Sequence, residues 1–190
     1  MKPKDELKLE AIAQATYQCV LSRGLSALTL ADIARSAGLA TSTLYVYYPS
    51  KQDLLDALYE RAKTVTVARL FEGDADQLST KARIRRIWLN MLENRLNNQA
   101  ELAFLEQYAS SDSMSEANRA LGARLAAVFR GILEAGQKEE TLKAVPLPFL
   151  MASLVGSVQE TAKMINQKTA PNDEATRSTA FQLAWDAVKA

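Results

Sequence analysis

The sequence predicts an all-α fold, with a short N-terminal three-helix domain followed by a larger helical C-terminal domain. Three observations lead there. Apolar residues recur at the spacing of one helix face along most of the chain. Only five prolines and seven glycines interrupt 190 residues. Runs of β-branched residues, the mark of strands, are scarce. The length suffices for one large domain or two small ones with real cores.

The first helix is expected from about Lys4 to Ser22, with Leu9, Ile12, Ala13, Thr16 and Val20 as its inward stripe. Gly24 suits the left-handed residue that ends such a helix. Thr29 is a natural N-cap for the second, its hydroxyl accepting from the backbone N–H of Ala31 or Asp32. Ile33 and Ala34 face inward, Ala37 lets two helices cross, Gly38 makes the tight turn and Leu39 plugs the junction. Thr41 or Ser42 starts the third helix, and Pro49 ends it by pushing its predecessor out of the α region. Ser50 caps a longer helix over 51–71, with Asp53 completing a loose capping box.

Residues 72–80, EGDADQLST, read as a linker. Ile84, Ile87, Trp88, Met91, Leu92 and Leu96 share the next helical face. Leu102, Leu105 and Ala109 mark a shorter helix, with Phe104 and Tyr108 on a neighbouring face. Leu121, Leu125, Val128, Phe129 and Ile132 stripe a long one. Pro146 and Pro148 open a helix that is apolar almost all round from Phe149 to Val158, and Phe181, Ala184, Trp185 and Val188 stripe the last. The expected division is a helix-turn-helix domain over 1–50, a linking helix over 51–71 and a C-terminal domain over 72–190.

Residues 28–58 carry the chemistry. In a helix-turn-helix the first helix braces against the phosphate backbone and the second enters the major groove. The second helix therefore needs one apolar face and one face of small hydrogen-bonding side chains. Leu44 and Tyr48, four apart, anchor inward, which leaves Thr41, Ser42, Thr43, Tyr45, Val46 and Tyr47 facing outward. Hydroxyls reach phosphates or bases, and a threonine or valine methyl can touch a thymine methyl. Lys51 opens a helix at the positive end of its dipole, an unfavourable place for a cation unless an anion stands beside it. The other reading of this stretch is a purely structural three-helix module.

Ile12, Gly24, Thr29, Ile33-Ala34, Ala37-Gly38, Thr43-Leu44-Tyr45, Tyr48 and Lys51-x-x-Leu54-Leu55 resemble the N-terminal signature of TetR-type transcriptional repressors. The match covers roughly the first third of the chain. The resemblance implies phosphate contacts for Tyr45 and Lys51, and matches Thr29, Ser42, Thr43 and Tyr47 to other positions that often touch DNA. Leu30 and Ala31 depart from it, standing where the family often carries a basic or polar residue. The segments AFLEQYASS (103–111) and AFQLAWDAVKA (180–190) look, more loosely, like C-terminal domains of the family.

Trp88, Met91, Phe104, Tyr108, Phe129 and Met151 are candidates to line an apolar ligand cavity, with Asn94, Arg95, Gln107, Gln159 and Glu160 as its polar groups. The alternative for such a set is plain core. Phe149, Ala152, Gly156, Phe181 and Trp185 are candidates for a dimer interface, in which the last two helices pair with their copies as a four-helix bundle. A two-fold dimer would present two recognition helices to a palindromic operator.

The composition excludes several functions. There is no histidine, which removes the usual catalytic triads and zinc sites. Cys19 stands alone, so no internal disulfide can form, and it reads as a small buried residue. Net charge is +1, with residues 1–51 at +2 and 52–190 at −1, a bias too weak to suggest nucleic acid by itself. Arg83, Arg85 and Arg86 read as a solvated face with surface salt bridges. The charged N-terminus lacks an apolar signal core, and the longest apolar run is broken by prolines, so a soluble cytoplasmic protein is expected. The expected function is a dimeric DNA-binding regulator without cofactor or metal and not an enzyme. It would be a repressor released by a small molecule in the C-terminal domain. The competing expectation is an interaction module of the same fold that has lost specific DNA binding.

Overall fold

The computed structural model describes residues 3–190. Met1 and Lys2, part of the charged N-terminus noted above, lie outside the described residues. Nine α-helices run in order among the described residues: α1 (Pro3–Arg23), α2 (Leu30–Ser36), α3 (Thr41–Tyr47), α4 (Lys51–Leu70), α5 (Thr80–Asn97), α6 (Gln99–Ala109), α7 (Glu116–Lys138), α8 (Leu147–Asn166) and α9 (Glu174–Val188). The only β pairing among them is an isolated bridge between Leu142 and Lys189. No described helix is long and apolar enough to cross a membrane.

Two compact units are present, each with its own core. The first takes the chain up to Val65 together with Asn98–Gly122; the second takes Thr66–Asn97 and Ala123–Ala190. Residues 98–122, grouped by the sequence reading with the C-terminal half, thus fold with the N-terminal helices.

In the first unit α1 is buried on more than one side, because it packs against both α2 and α6. Of its expected stripe, Ile12, Ala13, Thr16 and Val20 are interior and Leu9 is only half-buried, while Ala15, Tyr17 and Cys19 are interior as well. The inward face of α6 is Ala100, Phe104, Leu105 and Tyr108, while Ala109 is exposed and Leu102 only half-buried. The Tyr17 and Phe104 rings sit 5.2 Å apart, and Phe104 stacks on Tyr108 at 5.9 Å. Gln107 Oε1 accepts from the backbone N–H of Leu25 at 2.9 Å, which ties α6 to the turn where Gly24 takes φ +80°.

In the second unit α5, α8 and α9 surround a core that includes Ile84, Ile87, Trp88, Leu92, Leu154, Val158, Phe181 and Trp185, with Phe129 and Leu133 of α7. Trp88 buries its ring and donates its N–H to Ser157 Oγ at 2.8 Å. Val128, expected on the inward stripe of α7, is exposed because Phe129, Ile132 and Leu133 fill that face. Two of the three clustered arginines are paired: Arg83 makes two bonds to Asp74 at 2.9 and 2.7 Å, and Arg85 meets Glu174 at 3.0 Å, while Arg86 is exposed.

Candidate nucleic-acid interface

The turn between α2 and α3 is built by local chemistry. Thr29 is the N-cap of α2: its Oγ1 accepts from the Asp32 N–H at 3.1 Å and donates to Asp32 Oδ2 at 2.6 Å. The Thr29 hydroxyl, with Arg23 and Arg35 adding charge, holds the Asp32 carboxyl below the usual carboxylate range. Gly38 takes φ +67°, and Leu39 returns its N–H to the Ala34 carbonyl at 2.9 Å, closing the helix end. α3 begins at Thr41, but neither Thr41 nor Ser42 caps it, since Ala40 occupies the cap position and offers no side-chain bond. Ser50 repeats the Thr29 device at α4, accepting from the Asp53 N–H at 3.1 Å and donating to Asp53 Oδ2 at 2.7 Å.

α3 divides sharply by face. Leu44 is 0% exposed, whereas Tyr45 is 54% and Val46 80% exposed. Ser42 is also exposed, and Thr41 and Thr43 are half-buried on the flanks. Tyr47 does not join the outward set as expected. It packs against the core beside Tyr48, and its hydroxyl donates to Asp5 at 3.0 Å. Partial burial, and then the bond to Asp5, raise its phenol above the ordinary tyrosine value.

Lys51 is half-buried, and its ammonium donates to the Leu28 carbonyl at 2.5 Å. That contact gives the cation at the start of α4 a local partner, which the sequence reading did not foresee. It uses one of the three ammonium hydrogens. The next residue is anchored too. Gln52 Nε2 donates to Asp56 Oδ2 (2.9 Å), and lies 2.8 Å from both the Tyr108 hydroxyl and the Ser113 carbonyl. The first turn of α4 is therefore held to α6 and the loop after it. Nothing in the apolar periodicity signals this polar cluster. Beside this surface an open cleft of about 230 Å³ lies between α1 and α2, bordered by Cys19, Arg23, Asp32 and Arg35.

The candidate ligand residues are not gathered in one place. Phe104 and Tyr108 are core of the first unit and Gln107 is spent on the Leu25 N–H. Trp88, Met91, Phe129 and Met151 belong to the apolar cluster of the second unit. Asn94 is buried there, 3.3 Å from Arg69 Nη1, and Arg95 is half-buried. Gln159 and Glu160 project to solvent on the outer side of α8. The dimer candidates divide as well. Phe149 and Ala152 are exposed and Gly156 is half-buried, but Phe181 and Trp185 turn inward against Trp88 and α8. α9 leaves outside a largely polar surface that includes Ser178, Thr179, Gln182 and Asp186, with Leu183 as its one large apolar side chain.

A capped three-helix head with an exposed, hydroxyl-rich third helix defines a helix-turn-helix protein. The family model for bacterial regulatory proteins of the tetR family matches residues 8–58. The crystal structure of a TetR family transcription regulator from Marinobacter aquaeolei VT8 is 25% identical, with a TM-score of 0.89 over 100% of this chain and 99% of that one. An uncharacterized HTH-type transcriptional regulator of Haemophilus influenzae is 32% identical over 53% of this chain and 54% of its own length. The uncharacterized HTH-type transcriptional regulator YvdT of Bacillus subtilis is 35% identical over 36% of this chain and 37% of its own. The chain thus spans about half, or less, of the length of these curated relatives. It belongs to the tetR family of bacterial regulatory proteins.

Proposed function

We propose that this protein is a dimeric DNA-binding transcriptional regulator of the cytoplasm, a repressor that leaves its operator when a small molecule binds. Residues 1–50 with Lys51 carry the DNA contacts, the helix over 51–71 links, and the part of 72–190 that folds in the second unit holds the effector and the second subunit. The outward ridge of α3 carries the proposal: Ser42, Tyr45 and Val46 stand free opposite a fully buried Leu44. Tyr45 and Val46 stand side by side among hydroxyl side chains, a mixed ridge that suits phosphates and base edges. Ser42, Thr41, Thr43 and Tyr45 offer hydroxyls to phosphates or base edges. Thr29 and Lys51 flank them, and Tyr47 contributes through its ring edge while its hydroxyl stays on Asp5.

A second copy covers the outer face of α8 and α9. Phe149 is 67% and Leu183 68% exposed there, with Met164 also outside and Ala152 and Gly156 permitting close approach. The dimer sets two α3 helices against successive major-groove faces of a palindrome. An effector releases DNA only by preferring the non-binding arrangement; a tenfold preference contributes about 1.4 kcal/mol.

Fluorescence polarisation with a random-sequence duplex at low salt tests the proposal. Binding that weakens steeply with added salt is expected. Absence of binding at low salt would favour the alternative, an interaction module of the same fold, for which the net charge of only +1 speaks.

A further inference from the structure

α3 reads TSTLYVY and carries no charged residue, no asparagine and no glutamine. Those are the side chains that make paired hydrogen bonds to guanine, adenine or cytosine edges in the major groove. What remains for direct readout is hydroxyls, which accept either partner, and methyl groups. The one feature of a DNA base that an apolar group recognises there is the 5-methyl of thymine.

The geometry singles out one residue. Successive helix positions turn by about 100°. Ser42 and Val46 therefore share a face, and each lies about 200° from Leu44. Leu44 is fully buried, so this edge points straight away from the core, and both side chains are exposed. At 80%, Val46 is the most exposed large apolar side chain among the described residues. Tyr45 beside it keeps a hydroxyl free for the backbone or a base edge.

We infer that Val46 is the specificity-determining residue of this interface and that it reads a thymine through its 5-methyl group. The inference rests on the DNA-binding reading above and adds the base and the atom recognised. Ser42, four residues before it, meets the neighbouring base edge or its phosphate. The operator half-site therefore contains a thymine whose methyl, and not its pairing edge, is required.

The test uses the full-length protein and duplexes selected with it from a random-sequence pool. Each thymine of the selected duplex is replaced in turn by deoxyuridine, which removes only the methyl. One position per half-site should weaken binding by about fourfold, the worth of one buried methyl. Val46→Ala, a change at an exposed site, should bind the thymine and uracil duplexes equally. A selected duplex with no uracil-sensitive position would overturn the inference and leave DNA binding standing. Sensitivity that persists in Val46→Ala would take the role from Val46. Failure to retain any duplex at low salt would overturn the DNA-binding reading, and this inference with it.

Discussion

The phenolic hydroxyl of Tyr108 in α6 donates to Asp56 Oδ1 in α4 across 2.7 Å, and the same carboxylate oxygen accepts from Asn118 at 2.8 Å. Gln52 closes the set by reaching the other carboxylate oxygen at 2.9 Å. This cluster fixes the first turns of α4, and with them Lys51, against elements remote in sequence. Tyr108→Phe keeps the ring stacked on Phe104 but withdraws a donor from a charged acceptor. It should lower stability by about 1–3 kcal/mol. A denaturant midpoint unchanged from wild type would mean that the carboxylate is satisfied without the tyrosine.

The same cluster predicts how stability responds to pH. Burial alone would raise the Asp56 carboxyl, but hydrogen bonds from Ser115, Gln52, Tyr108 and Asn118 outweigh it and hold the pKa below the ordinary value. A depressed carboxylate contributes its stability above the unfolded pKa and loses it as pH falls through the folded one. Tyr108 runs the other way. Burial, and then its bond to Asp56, push it up to about 12, so its contribution is whole below the unfolded value of about 10 and fades as pH rises toward 12. Thermal unfolding followed across pH should fall off at both ends, with Tyr108→Phe removing its own part of the alkaline loss. An alkaline limb identical in the two proteins would assign that limb elsewhere.

Lys51 has two roles to separate. Its bond to the Leu28 carbonyl braces α4 against the loop before α2, and its remaining hydrogens face a phosphate in the proposed complex. Lys51→Ala should weaken binding to all duplexes and lower the slope of log affinity against log salt by about 0.9 for each phosphate that the ammonium no longer neutralises. A weakened affinity with the slope intact would leave only the bracing role.

The helix-turn-helix was legible because its signals are local. Thr29, Gly38 and Ser50 each act on backbone within a few residues, and each behaves as its type predicts. Partners across the chain were not legible. Periodicity says that Phe104, Tyr108, Phe181 and Trp185 have an apolar face to bury, but not against what. Phe104 and Tyr108 meet Tyr17 and Tyr59, while Phe181 meets Trp88. Gln107 and Lys51 show the same limit for polar groups: each bonds a backbone atom more than 20 residues away. The outward ridge of α3 was legible at Ser42, Tyr45 and Val46; Thr41 and Thr43 lie half-buried on its flanks, and Tyr47 leaves it because α1 approaches and supplies Asp5.

Phe149 tests the dimer. It stands 67% exposed at the start of α8, on the face that also bears Ala152 and outside the buried core of the unit. Phe149→Glu should leave thermal stability of the isolated subunit unchanged and shift sedimentation toward monomer at micromolar concentration. Operator affinity should fall with it, because a single α3 engages only one half-site. A variant that sediments as wild type would move the interface off this part of α8.

Two glycines give opposite expectations for the same substitution, and the difference lies wholly in the backbone. Neither Gly38 nor Gly131 has a neighbour within 4 Å of where a Cβ would stand. Gly38 sits at φ +67°, where an alanine costs about 1–2 kcal/mol, so Gly38→Ala should destabilise the protein and loosen the α2–α3 turn. Gly131 lies inside α7 on its exposed side, where alanine is favoured by about 1 kcal/mol, so Gly131→Ala should stabilise. Chemical denaturation of both variants reads the two signs directly. DNA binding should weaken only in Gly38→Ala, since that turn alone sets the angle at which Ser42, Tyr45 and Val46 are offered. If Gly38→Ala proved as stable and as tight-binding as wild type, the left-handed turn would not be what aims α3.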